Sequence, residues 1–146
     1  MEQYLLQIQK KRMKGNQTPV GIVGQGFVGS AVRAGLDPHF NVMTYDKYEA
    51  HKTTHQPVEI IQKCEVIFVC VPTPMDMETG ECHIGIVDEV VQKLDGLTAL
   101  MVDSGKISHR PVLVVKSTVP PGTIEFLNSR VDYVDVTFNP DRKSVV

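Results

Sequence analysis

The stretch EVIFVCV, Glu65 to Val71, carries apolar side chains at odd and even positions alike. A strand of this kind cannot leave one face in water, and its natural place is inside a parallel sheet with helices on both sides. PVLVVKST, Pro111 to Thr118, has the same character. Around these two runs the chain alternates strand and helix signals. Val20 to Val23 reads as a short apolar strand, Phe27 to Leu36 as a helix rich in small residues, and NVMTYD, Asn41 to Asp46, as a second strand. A weak helix is expected near Val58 to Lys63, and a longer one from Ile84 to Leu97 after the loop PTPMDMETGECH. PPGTIEFLNSR opens a further helix with proline where a first turn tolerates it. In the last run, DYVDVTFNP, Val134, Val136 and Phe138 face one way while Tyr133, Asp135 and Thr137 face the other, as in a half-exposed edge strand. Strands alternating with helices across short loops pair in parallel through right-handed crossovers. The expected class is α/β: a doubly wound, mainly parallel sheet of about five strands with helices on both faces.

A chain of 146 residues fits one domain, and at this length folding buries roughly 70% of the surface an unfolded chain exposes. With 42% apolar and 22% charged residues, the composition excludes disordered, coiled-coil and collagen-like classes. The formal charge of -2 speaks against nucleic acid as a partner, which would call for a basic face. No apolar run approaches the roughly 20 residues of a membrane-spanning helix, and the first residues lack the order of a secretory signal. Cys64, Cys70 and Cys82 form an odd set without CxxC spacing, which fits a reducing, cytoplasmic setting. Residues 1–18 are expected to form a helical extension, with Tyr4, Leu5 and Ile8 on one side and Lys10, Lys11, Arg12 and Lys14 after it, ahead of the domain at 19–146.

The junction of the first strand and first helix reads GIVGQGFVGS. Its glycines, Gly24, Gly26 and Gly29, have separate tasks: a tight turn, close backbone approach to a pyrophosphate, and close packing of helix on sheet. A diphosphate then rests on the free N–H groups of the helix N-terminus, beside Gln25, Phe27 and Val28. Asp46, at the end of the second strand, stands about 20 residues on, where an acid serves the adenosine ribose. Such a carboxylate can accept from both ribose hydroxyls and repels a 2'-phosphate, so NAD is favoured over NADP, with the neighbouring Lys47 weakening the preference. A glycine bend beside an unrelated surface acid is the simpler alternative.

Two more loops fall at the carboxyl ends of strands, where open sheets bind ligands. Val71, Pro72, Thr73, Pro74 and Met75 follow the third strand, and the prolines stiffen the placement of the Thr73 hydroxyl. Lys116-Ser117-Thr118-Val119-Pro120-Pro121-Gly122-Thr123 repeats the arrangement after the fourth. GIVGQGFVG, Asp46, VCVPTP, KSTVPPGT and FNP occur in the order found in the N-terminal, NAD-binding domain of the UDP-glucose and GDP-mannose dehydrogenases, and the chain resembles that family from about Pro19 to Pro140. The resemblance implies a Rossmann domain that binds NAD and, in complete relatives, two successive oxidations of a nucleotide-sugar CH2OH to a carboxylate. It also implies that Gly24 to Gly29, Asp46 and Lys47 hold the adenosine diphosphate half, and that Val71 to Met75 run along the cofactor. Ser117 and Thr118 would approach the nicotinamide, with Thr118 helping to position the catalytic water.

The resemblance thins at the end. Relatives continue NP into a stretch like NPEFLxEG, whereas this chain reads Asn139-Pro140-Asp141-Arg142-Lys143. Asp141 keeps a carboxylate at the first catalytic position on a shorter side chain. The family's cysteine nucleophile, which lies in a GxCxPKD-like setting of a second domain, has no counterpart, and Cys64 and Cys70 read as small core residues. On this evidence the chain is expected to be a truncated cofactor domain, inactive alone. It would meet a nucleotide sugar only if a second domain is supplied, and the associations expected of it are a partner chain or a homo-oligomer. The alternative is a stand-alone NAD-binding or partner-dependent module without dehydrogenase activity of its own.

Overall fold

The computed structural model describes residues 17–139, together with Glu2 and Gln3, which are helical and exposed. Most of the expected N-terminal helix, and Asp141, lie outside the described residues. Five strands, β1 (Pro19–Val23), β2 (Asn41–Tyr45), β3 (Val66–Val69), β4 (Val112–Val115) and β5 (Asp135–Phe138), form one sheet in the order β2-β1-β3-β4-β5. Every pairing is parallel. The helices are α1 (Phe27–Leu36), α2 (Pro57–Lys63), α3 (Gly85–Asp103) and α4 (Thr123–Ser129), with a 3-10 turn at Ala50–Lys52.

The core lies between the sheet and α2, α3 and α4. Ile67, Val69, Leu113 and Val115 meet Ile60 and Ile61 of α2 and Val87, Val91, Leu94 and Met101 of α3 in one buried cluster. Gly21 in β1 allows α2 to come this close, since a Cβ there would overlap the Ile60 side chain. The third helix runs past its expected end at Leu97 to Asp103. Buried Thr98 causes no break, because its hydroxyl donates within the helix to the Leu94 carbonyl at 2.7 Å. The stop comes at Ser104 and Gly105, whose φ of 76° suits glycine.

Both sheet edges are occupied by side chains. Asn128 of α4 donates to the Val136 carbonyl at 2.8 Å and accepts the Val136 N–H at 2.9 Å, which blunts the outer edge of β5. On β2, the Thr54 hydroxyl accepts the Thr44 N–H at 2.9 Å and the Thr53 hydroxyl accepts the Asp46 N–H at 3.0 Å. The short segment after Asp46 is thereby laid along β2 and folded back toward the glycine turn.

Candidate functional site

The carboxyl ends of β1, β2, β3 and β4 open onto a cleft of about 620 Å³, within the range of small-molecule and cofactor sites. It gathers most of the residues singled out in the sequence: Gly24, Gly26, Phe27 and Val28 from the first loop, Asp46 and Lys47 from the second, Val71, Pro72 and Thr73 from the third, and Ser117 and Thr118 from the fourth. Gln25 and Gly29 are buried within the turn, and Pro74 and Met75 do not line the cleft.

Each glycine does something different. Gly24 has a φ of 101°, and a Cβ on it would stand 2.5 Å from the Cys70 carbonyl oxygen. At Gly29 a Cβ would overlap the Gly24 carbonyl, so helix and turn touch through bare backbone. Gly26 differs from both, because a Cβ there meets nothing within 4 Å. Its missing side chain leaves space at the mouth of the cleft. The helix N-terminus beside it has no side-chain cap. The Ser30 N–H is the first to bond within the helix, to the Gly26 carbonyl at 2.9 Å, so those of Phe27, Val28 and Gly29 precede it. Gln25, 1% exposed, stiffens the turn by donating its side-chain amide to the carbonyls of Gly24 at 3.0 Å and Gly29 at 3.3 Å.

Asp46 is held by three backbone donors. Its Oδ2 accepts the Gln25 N–H at 2.6 Å, and its Oδ1 accepts those of Tyr48 at 2.7 Å and Glu49 at 2.8 Å. Burial raises the carboxyl's pKa, but the bonds from Gln25, Glu49 and Tyr48, with the Lys52 ammonium nearby, outweigh it and hold the group below the usual 3.8. A carboxylate has about four lone-pair positions. Three are taken, so Asp46 retains one acceptor position, on Oδ2, and not the two expected for a pair of ribose hydroxyls.

Lys52, Tyr48 and Glu49 escaped the sequence reading: Tyr48 and Glu49 fold onto Asp46 in a local turn two and three residues on, and the 3-10 turn after them brings Lys52 back to the glycine loop. The Lys52 Nζ donates to the Gln25 carbonyl at 3.2 Å and to the Ser30 hydroxyl at 3.5 Å. The far wall also went unread: Ile86, Glu89, Val90 and Lys93 of α3 line the cleft. The only signal available was their i, i+3, i+4, i+7 spacing on a helix that follows a strand tip.

The third and fourth loops are joined to each other. Buried Ser117 donates its hydroxyl to the Val71 carbonyl at 2.5 Å. Beyond Thr73 the chain turns out into a small hairpin, where the Asp76 N–H bonds the Glu81 carbonyl at 2.7 Å and Met75 bridges Cys82. Met75 is 61% exposed there, and this hairpin carries it away from the cleft. The Cys82 sulfur lies 3.6 Å from the Thr118 carbonyl oxygen and 3.9 Å from that of Thr73. Burial pushes the thiols of Cys64 and Cys70 up to about 11 and about 12, so both are neutral near pH 7 and unsuited to nucleophilic attack.

The sequence model of the UDP-glucose/GDP-mannose dehydrogenase family, NAD binding domain, matches residues 42–144. That match begins after the glycine turn, whose assignment therefore stands on its own geometry. A comparison with curated proteins gave no match. Among solved structures, GDP-mannose dehydrogenase from Pseudomonas aeruginosa, in a ternary complex, aligns with a TM-score of 0.64 at 20% identity, over 84% of this chain and 36% of that one. A D-3-phosphoglycerate dehydrogenase-type oxidoreductase from Ralstonia solanacearum aligns at 0.45 and 12% identity, over 99% and 46% of the two chains. A glycerate dehydrogenase related protein from Thermoplasma acidophilum aligns at 0.42 and 15%, over 94% and 48%. The chain thus spans about a third of the length of the first of these.

Proposed function

Because the chain belongs to the UDP-glucose/GDP-mannose dehydrogenase family and forms its NAD binding domain, we propose that it serves the oxidation of a nucleotide-sugar CH2OH by holding NAD against a substrate that a second domain or a partner chain brings in. The observation that carries this reading is the pairing of Gly26 with Asp46: open space and free helix N–H groups on one side of the cleft mouth, and a fixed carboxylate with one acceptor position left on the other. The first fits a pyrophosphate and the second a ribose hydroxyl.

The cofactor, when bound, supplies the hydride acceptor. The chain's own residues bind and orient it. Phe27 and Val28 present N–H groups at the helix end, Asp46 takes one ribose hydroxyl and disfavours a 2'-phosphate, and Ser117, by fastening the fourth loop to the third, keeps Thr73 and Thr118 at the other end of the cleft. Neither Cys64 nor Cys70 supplies the thiolate that a thioester route requires, since both are buried and neutral. That nucleophile belongs to the substrate-bringing part.

Isothermal titration of the chain tests the proposal. Saturable NAD binding is expected in the micromolar range or weaker, about -8 kcal/mol at strongest, with NADP weaker still and no NADH formed from UDP-glucose or GDP-mannose by this chain alone. Absence of NAD binding, or sugar oxidation without any added domain, overturns it.

A further inference from the structure

Right-handed crossovers set α2, α3 and α4 on one side of the sheet and α1 on the other. The cleft therefore runs between the N-terminus of α1 and the flank of α3, and two rows of α3 side chains line it. Ile86, Val90 and Leu94, each about one turn from the next, make an apolar row that rises from buried Leu94 through half-buried Val90 to Ile86, 38% exposed. Glu89 and Lys93 make a charged row beside it, and both are exposed. A Glu and a Lys in this order usually pair along a helix. Yet among the described residues the ion pairs are those of Arg33, His51, Arg110 and Arg130, and neither Glu89 nor Lys93 joins one. An apolar strip edged by an acceptor-only carboxylate and a donor-only ammonium suits a flat ring that carries a donor and an acceptor side by side.

We propose that α3 reads the base of the cofactor: the adenine ring lies on Ile86 and Val90, Glu89 accepts from its 6-amine, and Lys93 donates to the neighbouring ring nitrogen N1. The placement rests on the proposed cofactor role, which puts the pyrophosphate at Gly26 and the nicotinamide half toward Thr118. The adenosine half then extends the other way, past Asp46, where Tyr48 bounds the cleft on the β2 side and α3 supplies the facing wall. Adenine offers a donor at its amine and an acceptor at N1, the complement of the two side chains. A 6-oxo purine reverses both, setting an oxygen against the Glu89 carboxylate and an N–H against the Lys93 ammonium. The ribose held at Asp46 keeps the two ends of the edge from exchanging places.

Calorimetric titration of the full chain with NAD and with nicotinamide hypoxanthine dinucleotide, in which oxygen replaces the 6-amine, is the test. The wild type is expected to bind NAD about tenfold more tightly than the analogue. Glu89→Gln can turn either end of its amide toward the base, so its preference should fall to within about twofold. Lys93→Met should narrow the preference in part. Both replacements suit an exposed helix position, so thermal melts should match the wild type. Equal wild-type affinity for the two dinucleotides, or an undiminished preference in Glu89→Gln, overturns the role of α3 and leaves the cofactor role standing. Binding of neither dinucleotide overturns both.

Discussion

The carboxylate of Asp46 accepts the backbone N–H of Gln25 at 2.6 Å, joining the end of β2 to the glycine turn 21 residues earlier. The acid therefore shapes the turn as well as lining the cleft. In Asp46→Asn, the side-chain oxygen can still accept from Tyr48 and Glu49, but its NH2 then faces the Gln25 N–H, donor against donor. Leaving that N–H unpaired is expected to cost about 1–3 kcal/mol of stability. NAD affinity should fall about tenfold or more, roughly 1.4 kcal/mol. Chemical denaturation and calorimetric titration of the same preparations separate the two effects, and unchanged values in both would contradict the assignment.

The same carboxylate makes stability depend on pH. Its folded pKa lies below 3.8 because the three N–H bonds and Lys52 outweigh burial. A depressed carboxyl stabilises the folded state above its unfolded pKa, about 3.9, and that contribution is lost as pH falls through the folded value. The stability gap between wild type and Asp46→Asn should therefore be level above about pH 5 and shrink below about pH 4. Urea melts across that range provide the check, and a gap that widened on acidification would refute it.

Gly26 and Gly29 look alike in the motif and should behave differently. Gly29→Ala drives a Cβ into the Gly24 carbonyl, backbone against backbone, and is expected to destabilise by about 3 kcal/mol or more. Gly26→Ala meets open space and has an extended backbone, so its stability should stay within about 0.5 kcal/mol. Its NAD binding should weaken at least tenfold all the same, as the methyl takes the room a pyrophosphate needs. Thermal melts and titrations of the two variants, run side by side, should give opposite patterns.

These positions show what the sequence could and could not reveal. The parallel sheet followed from VIFV and VLVV, apolar on both faces, and α1 begins and ends where its small residues placed it. The tight turn at Gly24 and the close backbone contact at Gly29 followed from the motif's place between strand and helix. What stayed hidden depended on how loops close. Two acceptor positions of Asp46 are filled by the Tyr48 and Glu49 N–H groups in a local Asx-type turn that the reading of the strand end passed over, and a third by the distant Gln25 N–H. Lys52 reaches the glycine loop through one 3-10 turn, which has no spacing signature. Met75, adjacent to VPTP, looked like part of the same wall until the pairing of Asp76 with Glu81 turned the chain outward. Helices were expected on both faces, and their uneven division follows from strand order, which local patterns do not encode.

Ser117 is a smaller test of the loop junction. Ser117→Ala removes the donor to the Val71 carbonyl and leaves that oxygen short of a partner beside a buried site, for an expected loss of about 1–2 kcal/mol. Ser117→Thr retains the hydroxyl. Restoration by threonine of both stability and NAD affinity would show that the hydrogen bond, and not the small volume, is what matters.

Thiol reactivity reports on the same region without mutation. Cys64 and Cys70 are buried with pKa values pushed up to about 11 and about 12, whereas Cys82 is only half-buried in the hairpin. At pH 8 the native chain should release about one equivalent of thiol rapidly to a disulfide reagent and the other two only on unfolding. The Cys82 sulfur sits between the carbonyls of Thr73 and Thr118, and both of those residues line the cleft. Saturating NAD should therefore slow the fast phase severalfold by holding the two loops together. Three equally fast thiols would mean that β3 is not packed as described, and a fast phase indifferent to NAD would detach the hairpin from the cofactor site.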